Sequence, residues 1–72
     1  MSKNNALAKQ VGQNIRRYRM QIGASQLKAS EECDIYQSMW FGYENGERLP
    51  SITVLEKICS FLGVSSVDIF GF

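Results

Sequence analysis

Apolar residues recur along the first third of the chain at helical intervals. Leu7, Val11, Ile15, Tyr18 and Ile22 are three or four positions apart, which stacks them on one face of a helix from about Asn5 to Ile22. Gly23 follows directly, where a left-handed C-cap ends a helix. Ser25 can cap a second helix, Gln26 to about Glu32. Cys33-Asp34-Ile35 interrupts, with Asp34 suited to a turn. An aromatic-rich third helix covers about Gln37 to Tyr43, and Asn45-Gly46 ends it. Pro50 holds Leu49 extended and Ser51 caps a fourth helix, about Ile52 to Leu62. Its stripe is Leu55, Ile58, Cys59 and Leu62, and Gly63 stops it. Ser65 and Asp68 fit a capping box for a short fifth helix. No pair of alternating β-branched runs flanks a hairpin turn, so no sheet is predicted. The expected architecture is all-α: one domain over 1–72, five helices and a short N-terminal tail at 1–5. Its expected core is Ile15, Tyr18, Ile35, Trp40, Leu55, Ile58 and Leu62.

Size and composition narrow the function. A chain of 72 residues buries only about 60% of its unfolded surface and leaves no room for a separate sensor domain. The 44% hydrophobic and 21% charged content is that of a globular domain, not a disordered one. No apolar run approaches the roughly 20 residues of a membrane span. Met-Ser-Lys-Asn-Asn has no apolar run behind its charge, so no secretory signal is expected and the location is expected to be cytoplasmic. The chain has no His, which excludes Ser-His-Asp and Cys-His mechanisms. Cys33 and Cys59 alone cannot make a four-ligand zinc site and read as reduced core residues. The six glycines are scattered, so there is no phosphate loop. No enzymatic activity, metal, cofactor or small-molecule ligand is expected.

The net charge of +1 hides an asymmetry. Residues 1–28 hold Lys3, Lys9, Arg16, Arg17, Arg19 and Lys28 and no acid, which gives +6. Residues 29–72 hold Arg48 and Lys57 against Glu31, Glu32, Asp34, Glu44, Glu47, Glu56 and Asp68, which gives −5. A solvated basic helix face accounts for this, and so does a polyanion partner for one face.

The span Ser25 to Tyr43 is two short helices joined by a tight turn, the helix-turn-helix arrangement. Before it stand Ile15-Arg16-Arg17-Tyr18-Arg19 and Gly23. Within it Ser25-Gln26 opens the second helix, and Glu44-Asn45-Gly46-Glu47-Arg48-Leu49-Pro50-Ser51 follows the third. In this register, and again over Leu55 to Val64, the chain resembles the Cro/repressor-type helix-turn-helix family, also called XRE-like or lambda-repressor-like. The resemblance runs from about Val11 to Phe70. It implies a five-helix DNA-binding domain with its motif at about 25–43. The chain departs from the family at Ala29-Ser30 (usually Leu-Ala), at Asp34 (usually Gly), at Tyr36 (usually Ser or Thr), and at Phe41-Gly42 (usually polar or basic).

The resemblance assigns roles. The third helix lies in the major groove, and its first residues, Gln37 and Ser38, reach base edges. Gln pairs bidentately with adenine. The alternative is that both are simply solvent-facing helix starters. Phe41, one turn after Gln37, either touches a thymine methyl or covers an apolar gap in the domain. Trp40 takes the family's buried aliphatic position. Phosphate contacts fall to Gln26, at a helix N-terminus, and to Tyr36, Asn45 and Arg48, with Arg16 and Lys28 on a wider basic surface. Arg19 and Glu44 are expected to form a partly buried structural ion pair.

The expected function is a small sequence-specific transcriptional regulator that binds double-stranded DNA and acts by occupancy. The alternative is a protein-interaction module on the same fold, such as an antitoxin-like or anti-repressor partner. A homodimer is expected on a pseudo-palindromic operator. Its surface is assigned to the apolar tail: Val67, Ile69, Phe70 and Phe72, with Val64 nearby. The rival reading folds Ile69 and Phe70 back to cap the monomer's own core.

Overall fold

A computed structural model describes residues 3–72. Five helices follow in order: α1 (Lys3–Gln21), α2 (Gln26–Glu32), α3 (Gln37–Glu44), α4 (Ile52–Leu62) and α5 (Ser66–Phe70), with no strand among the described residues. Residues 1–2 of the expected tail lie outside the described residues, and 3–5 belong to α1.

Local chemistry sets the boundaries. Ser25 caps α2 by accepting from the Lys28 N–H, and Ser51 caps α4 by accepting from Val54. Ser65 and Asp68 form a reciprocal capping box at α5. Gly23, Gly46, Gly63 and Gly71 end segments at positive φ. Asp34 also adopts a left-handed conformation, φ 56°, which Asp tolerates better than most residues. It thereby takes the place of the family's turn glycine.

The core joins all five helices: Val11 and Ile15 from α1, Ala29 from α2, Trp40 and Tyr43 from α3, Leu55, Ile58 and Leu62 from α4, and Ile69 from α5. Tyr18 and Ile35 are half-buried against it. Trp40 is fully buried and meets Phe61 edge to face, with centroids 6.5 Å apart.

Two close approaches seat α1 on the end of α3. A Cβ on Gly12 would lie 2.2 Å from the Tyr43 carbonyl oxygen, and one on Gly46 would lie 2.8 Å from the Lys9 Cα. Only glycine permits these contacts.

Two expectations are corrected. Ile22 fits the spacing of the buried face, but α1 stops at Gln21 and Ile22 is 49% exposed. Ile69, assigned to an intermolecular surface, is fully buried in the monomer. Its side chain packs in the cluster that holds Val11 and Ile15, and the Asn14 side chain donates to the Ile69 carbonyl at 2.8 Å, which ties α5 to α1.

Candidate nucleic-acid interface

The α2–turn–α3 unit leaves one side of α3 open. Gln37, Ser38 and Phe41 are all exposed, Phe41 by half, while Trp40, Gly42, Tyr43 and Glu44 face inward. Tyr36 precedes α3, is 79% exposed, and makes no side-chain capping bond, so its hydroxyl is available. Asn45 and Arg48 are exposed just beyond α3. The Arg48 side chain lies over Gly42, whose Cβ position is 3.8 Å from Arg48 Cγ and Nε. Arg16 and Lys28 are exposed, and Lys28 pairs with Glu32 at 3.0 Å on the solvent side of α2. Surface pairs of this kind exchange readily for other partners.

Behind the open face sits a buried carboxylate. Arg19, in the last turn of α1, donates from Nε to Glu44 Oε2 at 2.6 Å and from Nη2 to Oε1 at 3.0 Å. Its third nitrogen, Nη1, donates to the Ala24 carbonyl at 2.8 Å. The Trp40 indole N–H donates to Glu44 Oε2, and Gln26 Nε2 donates to Oε1 at 3.0 Å. Burial pushes the Glu44 carboxyl up. Hydrogen bonds from Arg19, Gln26 and Trp40, with the arginine charge, outweigh it and hold the group below its ordinary value. Arg19 is raised, chiefly by its bond to Glu44.

Two candidate residues are engaged within the fold itself. Gln26, expected at a phosphate, is half-buried and turned to Glu44. Ile69 is removed from the candidate dimer surface by its burial, leaving Val67 at 57% exposed, Phe72 at 79% exposed and a half-buried Phe70. Phe70 and Phe72 lie against each other with ring centroids 5.9 Å apart. Sequence reasoning missed the Trp40–Glu44 bond, although tryptophan and glutamate four apart on one helix was the available signal.

The thiols are poor nucleophiles: burial lifts Cys33 to about 11 and also raises Cys59. Among the described residues no cluster of metal-ligating side chains forms, and no helix is long and apolar enough to cross a membrane.

A helix-turn-helix family model matches residues 15–69, most of the chain. The chain belongs to the XRE-type helix-turn-helix family. Solved structures agree with that placement. The restriction-modification controller protein C.AhdI from Aeromonas hydrophila is 26% identical, with a TM-score of 0.85 over 90% of this chain and 98% of its own. A point mutant of the restriction-modification controller protein C.Esp1396I is 28% identical, with a TM-score of 0.78 over 90% and 84%. The clp gene regulator ClgR from Corynebacterium glutamicum shares the fold at 24% identity, with a TM-score of 0.83 over 88% and 67%. A comparison with curated proteins gives no match.

Two of the departures from the XRE-type pattern have visible local consequences. Ser30, in place of the usual apolar residue, is buried with its hydroxyl donating to the Leu27 carbonyl at 2.8 Å. Tyr36 gives up the side-chain cap of α3 and gains an exposed hydroxyl.

Proposed function

We propose that this protein is a sequence-specific DNA-binding regulator of transcription. One observation carries the reading: α3 presents Gln37, Ser38 and Phe41 to solvent on a helix fixed from behind by Trp40 and the Glu44 bonds. A rigid helix with an open polar first turn is what major-groove reading requires. Gln37 and Ser38 read base edges, and Phe41 meets a thymine methyl. Tyr36, Asn45, Arg48, Arg16 and Lys28 hold phosphates. That C.AhdI and C.Esp1396I are restriction-modification controllers supports a regulatory role. Two copies pair through Val67, Phe70 and Phe72, so that two α3 helices read two half-sites about 34 Å apart.

Selection from a randomised duplex pool tests the reading. The wild-type chain should enrich a shared sequence. Gln37→Ala should weaken the preferred site by about 1–3 kcal/mol and flatten the preference. Arg48→Ala should weaken all duplexes alike and lower the salt slope. A pool that emerges unenriched contradicts the proposal. A protein-interaction module is the second reading, favoured by the exposed aromatic rings of Tyr36 and Phe41.

A further inference from the structure

We infer that Gln26 and Trp40 are positioning residues, which fix the pose of α3 through the Glu44 carboxylate. Three elements converge on that carboxylate: α1 through Arg19, α2 through Gln26, and α3 itself through Trp40 one turn earlier. Two oxygens receive four donors, two on each, which fills the acceptor capacity of a carboxylate. Among the described residues, the Gln26–Glu44 bond is the one side-chain hydrogen bond from α2 to α3. It adds a directional tie between the two helices of the motif to their apolar packing through Ala29 and Trp40. The Trp40 bond acts in a related way within α3. A fully buried indole N–H needs an acceptor, and Glu44 supplies it only while its own side chain lies along the helix toward Trp40. The ion pair is thereby locked to the helix that carries Gln37 and Ser38. The charge bearing on Glu44 is that of Arg19 from α1, while α2 and α3 contribute the neutral donors Gln26 and Trp40.

The consequence for DNA rests on the DNA-binding reading above; the four-donor arrangement does not. Gln26→Leu removes one donor at a half-buried site, and Trp40→Phe removes the other while keeping a ring in the core. In the full chain, the Glu44 carboxyl is titrated by carbon NMR, and duplex affinity is measured on the same samples at neutral pH. Both variants should raise the Glu44 titration midpoint toward the ordinary carboxylate value. Gln26→Leu should weaken duplex binding roughly tenfold, the scale of one hydrogen bond to a charged group. Added to Glu44→Gln, it should cost nothing further. Lost affinity with an unmoved Glu44 midpoint in Gln26→Leu overturns the inference, because Gln26 would then act on phosphate. A moved midpoint with undiminished affinity overturns it equally. If the wild-type chain binds no duplex, the DNA-binding reading fails separately and the titration alone decides the positioning role. Gln26→Leu keeps the test decisive should Trp40→Phe fail to fold.

Discussion

Trp40 meets two demands with one side chain. Its ring fills the centre of the core against Phe61, and its N–H pairs with Glu44. Trp40→Ala is expected to cost about 3–5 kcal/mol, measured by chemical denaturation. A domain this small has little stability in reserve, so the variant should be largely unfolded at room temperature. Glu44 gives a second residue-scale prediction. Its carboxyl is held below the ordinary value of 4.5, so the folded chain takes up that proton less readily than the unfolded chain does. Its contribution is fully present above about pH 4.5 and is lost as pH falls through the lower, folded value. The upward shift of Arg19 lies far from this window. Denaturation midpoints followed from neutral pH downward should drop on the acid side in the wild type. The drop should be smaller in Glu44→Gln, which is expected to be less stable at neutral pH.

At the scale of elements, α1 approaches the end of α3 closely at Gly12. Alanine ordinarily favours a helix over glycine by about 1 kcal/mol. At Gly12 the sign should reverse, because a Cβ has no space beside the Tyr43 and Glu44 carbonyl oxygens. Gly12→Ala is expected to destabilise by about 1–3 kcal/mol in thermal or denaturant unfolding. The reach of each interaction along the chain explains what was legible beforehand. Ser25, Ser51, Gly63 and the Ser65–Asp68 box act within four residues, so the sequence shows where helices begin and end. The exposed Gln37, Ser38 and Arg48 were legible through the family register. The Glu44 contact of Gln26 and the tight seat of Gly12 were not, and the burial of Ile69 was legible only as the rival reading of the tail. Their roles depend on partners 18 to 55 positions away, as in Gln26–Glu44 and Asn14–Ile69, and no local pattern encodes such a partner. Ile22 failed for the opposite reason. Periodicity extended the buried face past the point where Gly23 ends the helix.

For the whole molecule, pairing and DNA binding are linked. One recognition helix reads only a few base pairs, too little to select a site among a genome of competitors. The burial of Ile69 confines the candidate pairing surface to Val67, Phe70 and Phe72. Sedimentation equilibrium at micromolar concentration should show a dimer for the wild-type chain. Val67→Asp combined with Phe72→Asp should give a folded monomer, because both side chains are exposed and neither belongs to the buried cluster. A dimer that survives both changes would place the interface elsewhere. The central claim is that the open face of α3 and its surrounding cations bind double-stranded DNA. A titration of the wild-type chain with mixed-sequence duplex at two salt concentrations tests it most directly. Of the exposed cations, Arg16, Lys28 and Arg48 are the three assigned to phosphates, so log affinity should fall against log salt with a slope of roughly −3 for each chain bound. Affinity that does not change with salt, or no binding at low salt, would contradict the account.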